Sequence, residues 1–339
     1  MKQPLELVKL NFTSPLHLSR GKSGLDTSFE LIHSDTLKSA LYVCARDLDM
    51  DILKDDESDA FFNSFSISSA FPFANDEFFF PKPEWISATL SNSLKSEYKK
   101  DFKKIRYFSQ TYFEQLLRGD LKILDETCFK HTKYYTASDL PKGTPFKSET
   151  VQRVTVSRNY EEDAGTFYTE RLYFHQDCGL FFLIHIKDEA YRSAILAALR
   201  LLGDNGIGSD KTVGNGQFEA SDFQPFSFHA IEKADKQISL SLFCPKDKEV
   251  FTEGFLNESA YALTKRGGYL ANPDDFNHST LRKKSVFMFT EGSVFPNNQE
   301  LKGTVVDLKP DKDVNHAVWR DGNDFFLPYN LPIENESKS

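Results

Sequence analysis

The order of strand and helix patterns predicts an α+β fold. From the first residue to about 228 it runs strand, helix, strand, an insertion holding helices and a β-hairpin, strand, helix, strand. That order is βαββαβ, the split ferredoxin-like unit. Two further observations agree. The 32 phenylalanines among 339 residues call for a strand-rich, aromatic core. A second strand-rich series with few helical patterns begins after Pro225.

Leu5 to Phe12 alternates and predicts the first strand. A loop follows, Ser19 to Ser28, with Arg20, Lys22 and two glycines. Ser34 and Asp35 then precede Leu37, Leu41 and Leu48 at near-helical spacing, so they are expected to act only as helix caps. Phe65 to Phe73 reads as one strand ending at Pro72. Two prolines around Lys82, in Phe78 to Pro83, are expected to break any strand ladder. Trp85 to Gly119 is lysine-rich, and Ile105, Phe108, Phe113, Leu116 and Leu117 supply the buried side of one or two short helices. Lys130 to Ser148 reads as a polar loop.

Val151 to Ser157 and Thr166 to Phe174 alternate on either side of Arg158, Asn159, an acidic triplet and Gly165. They predict a long β-hairpin carrying Arg153, Arg158 and Arg171. Phe181 to Ile186 is a buried strand with His185 as a satisfied sheet histidine, and Tyr191 to Leu202 is a helix. Gln217 to Phe223 completes the unit. In the second series, Ile238 to Phe243, Arg282 to Phe289, Gly303 to Leu308 and Asp324 to Leu327 are strand candidates. Thr264 to Leu270 is a basic turn and Glu291 to Ser293 another turn. The expected division is 1–228, with an insertion over about 80–175 and a glycine-rich loop at 203–216, then 229–333, then a disordered tail at 334–339.

The glycine-rich stretch holds Gly203, Gly206, Gly208, Gly214 and Gly216. Glycine permits positive φ and close approach of backbone or phosphate, and amides freed this way can cradle an anion. A Walker loop is excluded because Asp210, not glycine, precedes Lys211. A dinucleotide fingerprint opens a helix after a strand, whereas this loop has the reverse order. Without that chemistry, the stretch is simply a long turn with solvated charges.

The net charge of −9 argues against bulk nucleic-acid binding but leaves room for a local basic groove. Acid concentrates in Asp47 to Asp59 and in the tail. The four cysteines, Cys44, Cys128, Cys178 and Cys244, form neither a zinc motif nor a disulfide framework, so a cytoplasmic location is expected. No signal peptide or membrane span is expected. The eight histidines show no metal-ligand spacing, and no catalytic motif stands out, so no metal, cofactor or catalytic residue is assigned. His17 and His33 flank the first loop and are the two candidates for acid–base work in an RNA-cleaving alternative.

Several segments together resemble the CRISPR-associated RAMP proteins. They are Ser34 to Leu41, Ser68 to Phe73, Phe79 to Pro83, Lys103 to Gly119, Arg153 to Asn159, the glycine-rich loop, and the KRGGY and EGS turns. Their order over roughly residues 1–330 is most similar to the subunit of the type III-A (Csm) effector complex that holds the crRNA 5′ handle. The resemblance implies two ferredoxin-like (RRM-like) domains, with a thumb-like β-hairpin inserted in the first. It implies three partners: the crRNA handle, a neighbouring RAMP backbone subunit, and the large polymerase-like signalling subunit. A non-catalytic scaffold is expected. The alternatives are a crRNA-processing endoribonuclease and the equivalent type III-B subunit.

Single-stranded RNA is gripped by amides, cations and stacking side chains. The residues expected to serve are Arg20, Lys22, Arg153, Arg158 and Asn159, the amides of Gly206, Gly208, Gly214 and Gly216, and Lys211. Ser68, Ser69 and Phe71 are expected to meet a base, and Lys265, Arg266 and Gly267 to act in the second domain.

Overall fold

A computed structural model describes residues 4–19, 27–49, 58–86, 90, 94–155, 165–229, 231, 233–247, 250–270, 281–298, 300–310, 314 and 316–331. The first part contains β1 (Leu5–Phe12), α1 (Ser34–Asp47), α2 (Ser58–Asn63), β2 (Phe65–Ile67), β3 (Phe71–Ala74) and β4 (Glu77–Pro81). It continues with α3 (Ser96–Lys104), β5 (Tyr107–Ser109), α4 (Gln110–Arg118), β6 (Tyr134–Tyr135), β7 (Phe146–Thr155), β8 (Gly165–Phe174) and β9 (Cys178–Ile186). It ends with α5 (Arg192–Asn205), β10 (Phe218–Ala220) and β11 (Gln224–Phe226). The second part contains β12 (Lys236–Ser239), α6 (Glu253–Asn257), β13 (Leu263–Arg266), β14 (Val286–Phe289), β15 (Val294–Pro296), β16 (Val306–Asp307), β17 (Trp319–Arg320) and β18 (Phe326–Tyr329).

The central sheet runs β10-β1-β9-β3 and continues through β4, β5 and β6. Its first four strands are the antiparallel 4-1-3-2 order that a βαββαβ chain produces. Period-2 alternation sends the side chains of β9 to two different cores. Leu180, Phe182, Ile184 and Ile186 pack under α1 and α5 with Leu37, Leu41, Ile195 and Leu199. Phe181 and Leu183 face the other way and pack with Phe71, Phe80, Ile238, Leu240, Val294 and Tyr329. The second part therefore shuts the sheet face that the helices leave open.

Several expectations need correction. Phe65 to Phe73 is two strands, because the Ser69 N–H leaves the ladder and donates to the Leu240 carbonyl of the second part at 2.8 Å. The prolines do not stop the ladder at Phe78. β4 pairs with β5 through Pro81 opposite Tyr107, at the strand end where a missing N–H is tolerated. Phe80 stacks on Phe113 of α4 at 4.8 Å, which seats the inserted helix on the sheet. The polar loop holds β6, paired in parallel with β5. The basic turn is a strand: Lys265 and Arg266 pair with Phe287 and Val286 across β13–β14.

The β7–β8 hairpin pairs Phe146 to Thr155 with Phe174 to Gly165. Its turn, with Arg158 and Asn159, lies outside the described residues, as do Arg20, Lys22, most of the acidic stretch and the tail. The four cysteines are buried and none is in a disulfide.

The two parts are joined by buried charge. Asp35, fully buried, accepts from Arg266 Nε at 2.8 Å and Nη2 at 3.0 Å, and from Arg320 Nη1 at 3.0 Å. Burial pushes its carboxyl up, but the two guanidiniums outweigh that and hold it well below the usual range. Ser34 Oγ accepts from the Leu242 N–H at 3.0 Å. Ser34 and Asp35 are thus domain-joining residues rather than caps; the N-cap position falls on His33, without a side-chain cap.

Candidate nucleic-acid interface

Three segments meet beside the end of α5: the glycine-rich loop, the chain after β1, and the β7–β8 hairpin. Gly206 ends α5 at φ +78°, which a side chain would strain. The loop then folds back on itself. The Ile207 N–H donates to the Gly216 carbonyl at 2.9 Å, and the Gly216 N–H to the Pro15 carbonyl at 2.8 Å. Gly208 lies so close to the first segment that a Cβ there would come within 2.4 Å of the His17 carbonyl oxygen. The Ser209 N–H donates to that same oxygen at 3.0 Å.

These bonds change the part played by the glycines. The amides of Gly206, Gly214 and Gly216 already donate to Leu202, Lys211 and Pro15. They are not open anion donors, and the glycines serve first to let the loop close on residues 15–19.

The hairpin locks onto the loop by charge. Its register puts Arg153, opposite Phe167, and Arg171, opposite Glu149, on one face. Arg153 Nη1 donates to Asp210 Oδ2 at 2.8 Å, and Arg171 Nη2 lies 3.8 Å from the same oxygen. Lys211 is exposed beside them and Arg171 Nε is unpartnered. Asn215, 6% exposed, has an unpartnered Nδ2.

His17 is 1% exposed and its Nδ1 lies 2.6 Å from the Glu170 carbonyl. A carbonyl only accepts, so Nδ1 carries the hydrogen, and Nε2 is left without a partner. Ser19 and Ser28 bridge at this place.

The other expected residues lie elsewhere. Ser68, Ser69 and Phe71 are fully buried and cannot meet a base. Ser68 Oγ accepts from the Leu183 N–H at 2.9 Å, and Ser69 Oγ accepts from the Ser34 N–H at 2.8 Å while donating to Glu291. Phe71 sits in the core under the second part. An RRM stacks bases on its open sheet face, but here that face is packed. Arg266 is committed to Asp35 and the Gly267 carbonyl to Arg320, while Lys265 is exposed on the outer face of β13.

His33, 8% exposed, pairs through Nδ1 with Glu291 Oε1 at 2.8 Å. Burial pushes the Glu291 carboxyl up, but His33 and Ser69 reverse that and its pKa ends lowered. His185 is half-buried in β9, and burial, with Lys187 adding to the effect, lowers its pKa. Among the described residues no group of three or more His, Cys, Asp or Glu could hold a metal ion, and no helix is long and apolar enough to cross a membrane.

Sequence reasoning missed Arg171, Glu170, Asp210 and Asn215 as members of one site. The alternation in TFYTERLYF does place Arg171 on the hairpin, but only the register shows that it shares a face with Arg153.

Residues 9–219 match the RAMP superfamily and residues 232–329 the CRISPR Csm4 C-terminal domain. The chain is 27% identical to the CRISPR system Cms protein Csm4 of Thermococcus onnurineus, over 81% of this chain and 83% of that one. It is 22% identical to the protein of the same name from Methanocaldococcus jannaschii, over 97% and 98%. The fold is similar to a crystal structure of a Csm3–Csm4 subcomplex in the type III-A CRISPR-Cas interference complex, with a TM-score of 0.66 at 18% identity, covering 96% of this chain and 99% of that one. It is also similar to a Csm1–Csm4 cassette in complex with cA4, with a TM-score of 0.61 at 21% identity, covering 97% and 99%. The family match over 9–219 agrees with the 4-1-3-2 sheet, and a stretch similar to the Csm4 C-terminal domain follows it: the chain belongs to the RAMP superfamily.

Proposed function

We propose that this protein anchors the 5′ handle of a crRNA in a cytoplasmic type III-A effector complex, joining the RAMP backbone to the large polymerase-like subunit without cutting RNA itself. The observation that carries the reading is the junction of hairpin, glycine-rich loop and residues 15–19. It collects Arg153, Arg171 and Lys211, with Lys211 exposed. Asp210 holds both guanidiniums in place before RNA arrives, which lowers the ordering cost of binding. Cations meet the phosphates of a single strand. The partners follow from the relatives, which are solved together with Csm1 and with Csm3. An acidic chain with one local basic site suits a subunit held in an assembly.

The non-catalytic part of the reading is supported by the burial of both candidate histidines, each tied to a neighbour within the protein. The test is to purify the complex from cells carrying a CRISPR array and sequence its small RNA. Wild type is expected to yield RNAs with one constant 5′ end. Arg153→Ala with Lys211→Ala is expected to lose or fray that end while the fold persists. Unchanged RNA in the double variant overturns the handle site. Metal-independent cutting of repeat RNA by the purified protein, abolished by His17→Ala, makes it the endoribonuclease instead.

A further inference from the structure

A cleft of about 1120 Å³ lies between the two parts, at the end of the sheet where β1 begins and β9 ends. Asn63, His185 and Lys187 line its wall in the first part, and Lys246, Asn298 and Lys302 its wall in the second. The backbone under these cations is tied down. The Lys187 N–H donates to the Ser64 carbonyl at 2.8 Å, and the Lys246 N–H to the Lys302 carbonyl at 2.9 Å. Two carboxylates also line the cleft, and both have partners. Glu300 pairs with Lys302 at 3.2 Å, and Asp324 Oδ1 accepts from the Gly303 N–H at 2.9 Å. Among the described residues, no anion pairs with the ammonium of Lys187 or of Lys246. Behind the wall, fully buried Lys38 lies 3.2 Å from Asp321 Oδ1, which also accepts from the lining residue Asn323 at 2.9 Å. Burial lowers the Lys38 pKa, Asp321 opposes this, and Lys187 adds to the fall. Burial lowers the His185 pKa as well, and Lys187 again adds to the fall. In a chain of net charge −9, this spot thus holds an excess of positive charge.

Concave sites between two domains commonly receive small ligands. Among the described residues the cations lining this one are lysines and a histidine, with no arginine. Lysine meets phosphate oxygens as a point charge, whereas arginine is the residue that forks onto a planar carboxylate. Unpaired ammoniums on both walls call for more than one charged group in the ligand. We propose that this cleft binds a small diphosphate anion, held by Lys187 from one wall and Lys246 from the other, with the amides of Asn63 and Asn298 donating beside them. Free pyrophosphate and the diphosphate of a nucleotide share that chemistry. The site is separate from the glycine-rich junction. Leu5 lines the cleft, and β1 runs about 23 Å from there to Phe12, beyond which residues 15–19 meet the loop. The inference therefore goes beyond the handle reading and does not depend on it. An anion between the walls draws the two parts together and offsets the repulsion between Lys187 and buried Lys38, so its binding stabilises the fold.

The test uses the full chain, titrated with sodium pyrophosphate in a calorimeter and melted at several pyrophosphate concentrations, all at constant ionic strength. Wild type is expected to bind one pyrophosphate and to melt higher as its concentration rises. Lys187→Gln and Lys246→Gln, both exposed positions, are each expected to weaken binding about tenfold. Without ligand, Lys187→Gln is expected to melt no lower than wild type, so its loss of binding is not a loss of fold. Lys99→Gln, exposed on α3, is expected to bind as wild type does. No binding by wild type, or equal affinity in wild type, Lys187→Gln and Lys246→Gln, overturns the proposal. An equal loss in Lys99→Gln also overturns it, because the anion then only screens charge. ADP titrated in parallel separates the sources. Binding tighter than pyrophosphate assigns the diphosphate of a nucleotide and weaker binding the free anion; either supports the site when Lys187→Gln weakens it. A short single-stranded RNA that displaces pyrophosphate and loses affinity in the same two variants assigns the cleft to RNA and overturns the small-anion assignment.

Discussion

Arg266 of β13 grips Asp35 of α1 with two hydrogen bonds, Nε to Oδ2 at 2.8 Å and Nη2 to Oδ1 at 3.0 Å, across 231 residues of sequence. Asp35→Asn removes the carboxylate that two buried guanidiniums share. The expected loss is about 3–5 kcal/mol in urea unfolding. The Asp35 pKa is lower folded than unfolded. Its contribution is therefore fully present above the unfolded value of about 3.9 and lost as pH falls toward the folded one. The gap between wild type and Asp35→Asn is expected to close as pH drops below about 4; a gap independent of pH would show that the carboxylate charge is not what matters.

Gly216 and Gly214 separate fold from binding. Both have positive φ, at +76° and +80°. A Cβ at Gly216 would lie 1.9 Å from the Ile207 carbonyl oxygen, whereas nothing lies within 4 Å of one at Gly214. Gly216→Ala is expected to cost more than about 3 kcal/mol, the left-handed penalty plus a backbone clash, and Gly214→Ala only about 1–2 kcal/mol. Thermal melts of the two variants check this, and equal losses would contradict the loop geometry.

Ser69 distinguishes a buried joint from a base contact. Ser69→Ala removes a donor to buried Glu291 and an acceptor for the Ser34 N–H. A loss of about 1–3 kcal/mol with unchanged RNA affinity is expected. Weakened RNA binding in a fully folded variant would restore Ser69 to the interface.

Lys82 bonds the Phe102 carbonyl at 2.8 Å with its ammonium 3.9 Å from the Phe102 ring centre. Burial lowers its pKa to about 8, against Glu84, which raises it. The unfolded chain binds this proton more tightly, so between about pH 8 and the unfolded value near 10.4 the group makes stability rise with pH. The stability of wild type relative to Lys82→Met is expected to increase over that window, measured by denaturant melts at matched ionic strength. A flat difference would place the ammonium in water.

Local patterns in the sequence determined the ferredoxin-like order, the bounds of β1 and the existence of the hairpin, because alternation, helical spacing and glycine act within a few residues of themselves. The family resemblance was legible for the same reason: its motifs are short and their order is linear. The tertiary structure alone decided which faces are free. Ser68, Ser69, Phe71 and Arg266 carry the chemistry of an RNA site, yet packing of the second part on the open sheet face buries them. Asp35 has the sequence of a cap and the position of a buried counterion. Asp210, one of the solvated charges of the turn in the sequence, becomes the anchor of Arg153 once the hairpin lies against it. Burial and ion pairing depend on residues dozens to hundreds of positions away, and those distances are set only when the chain has folded.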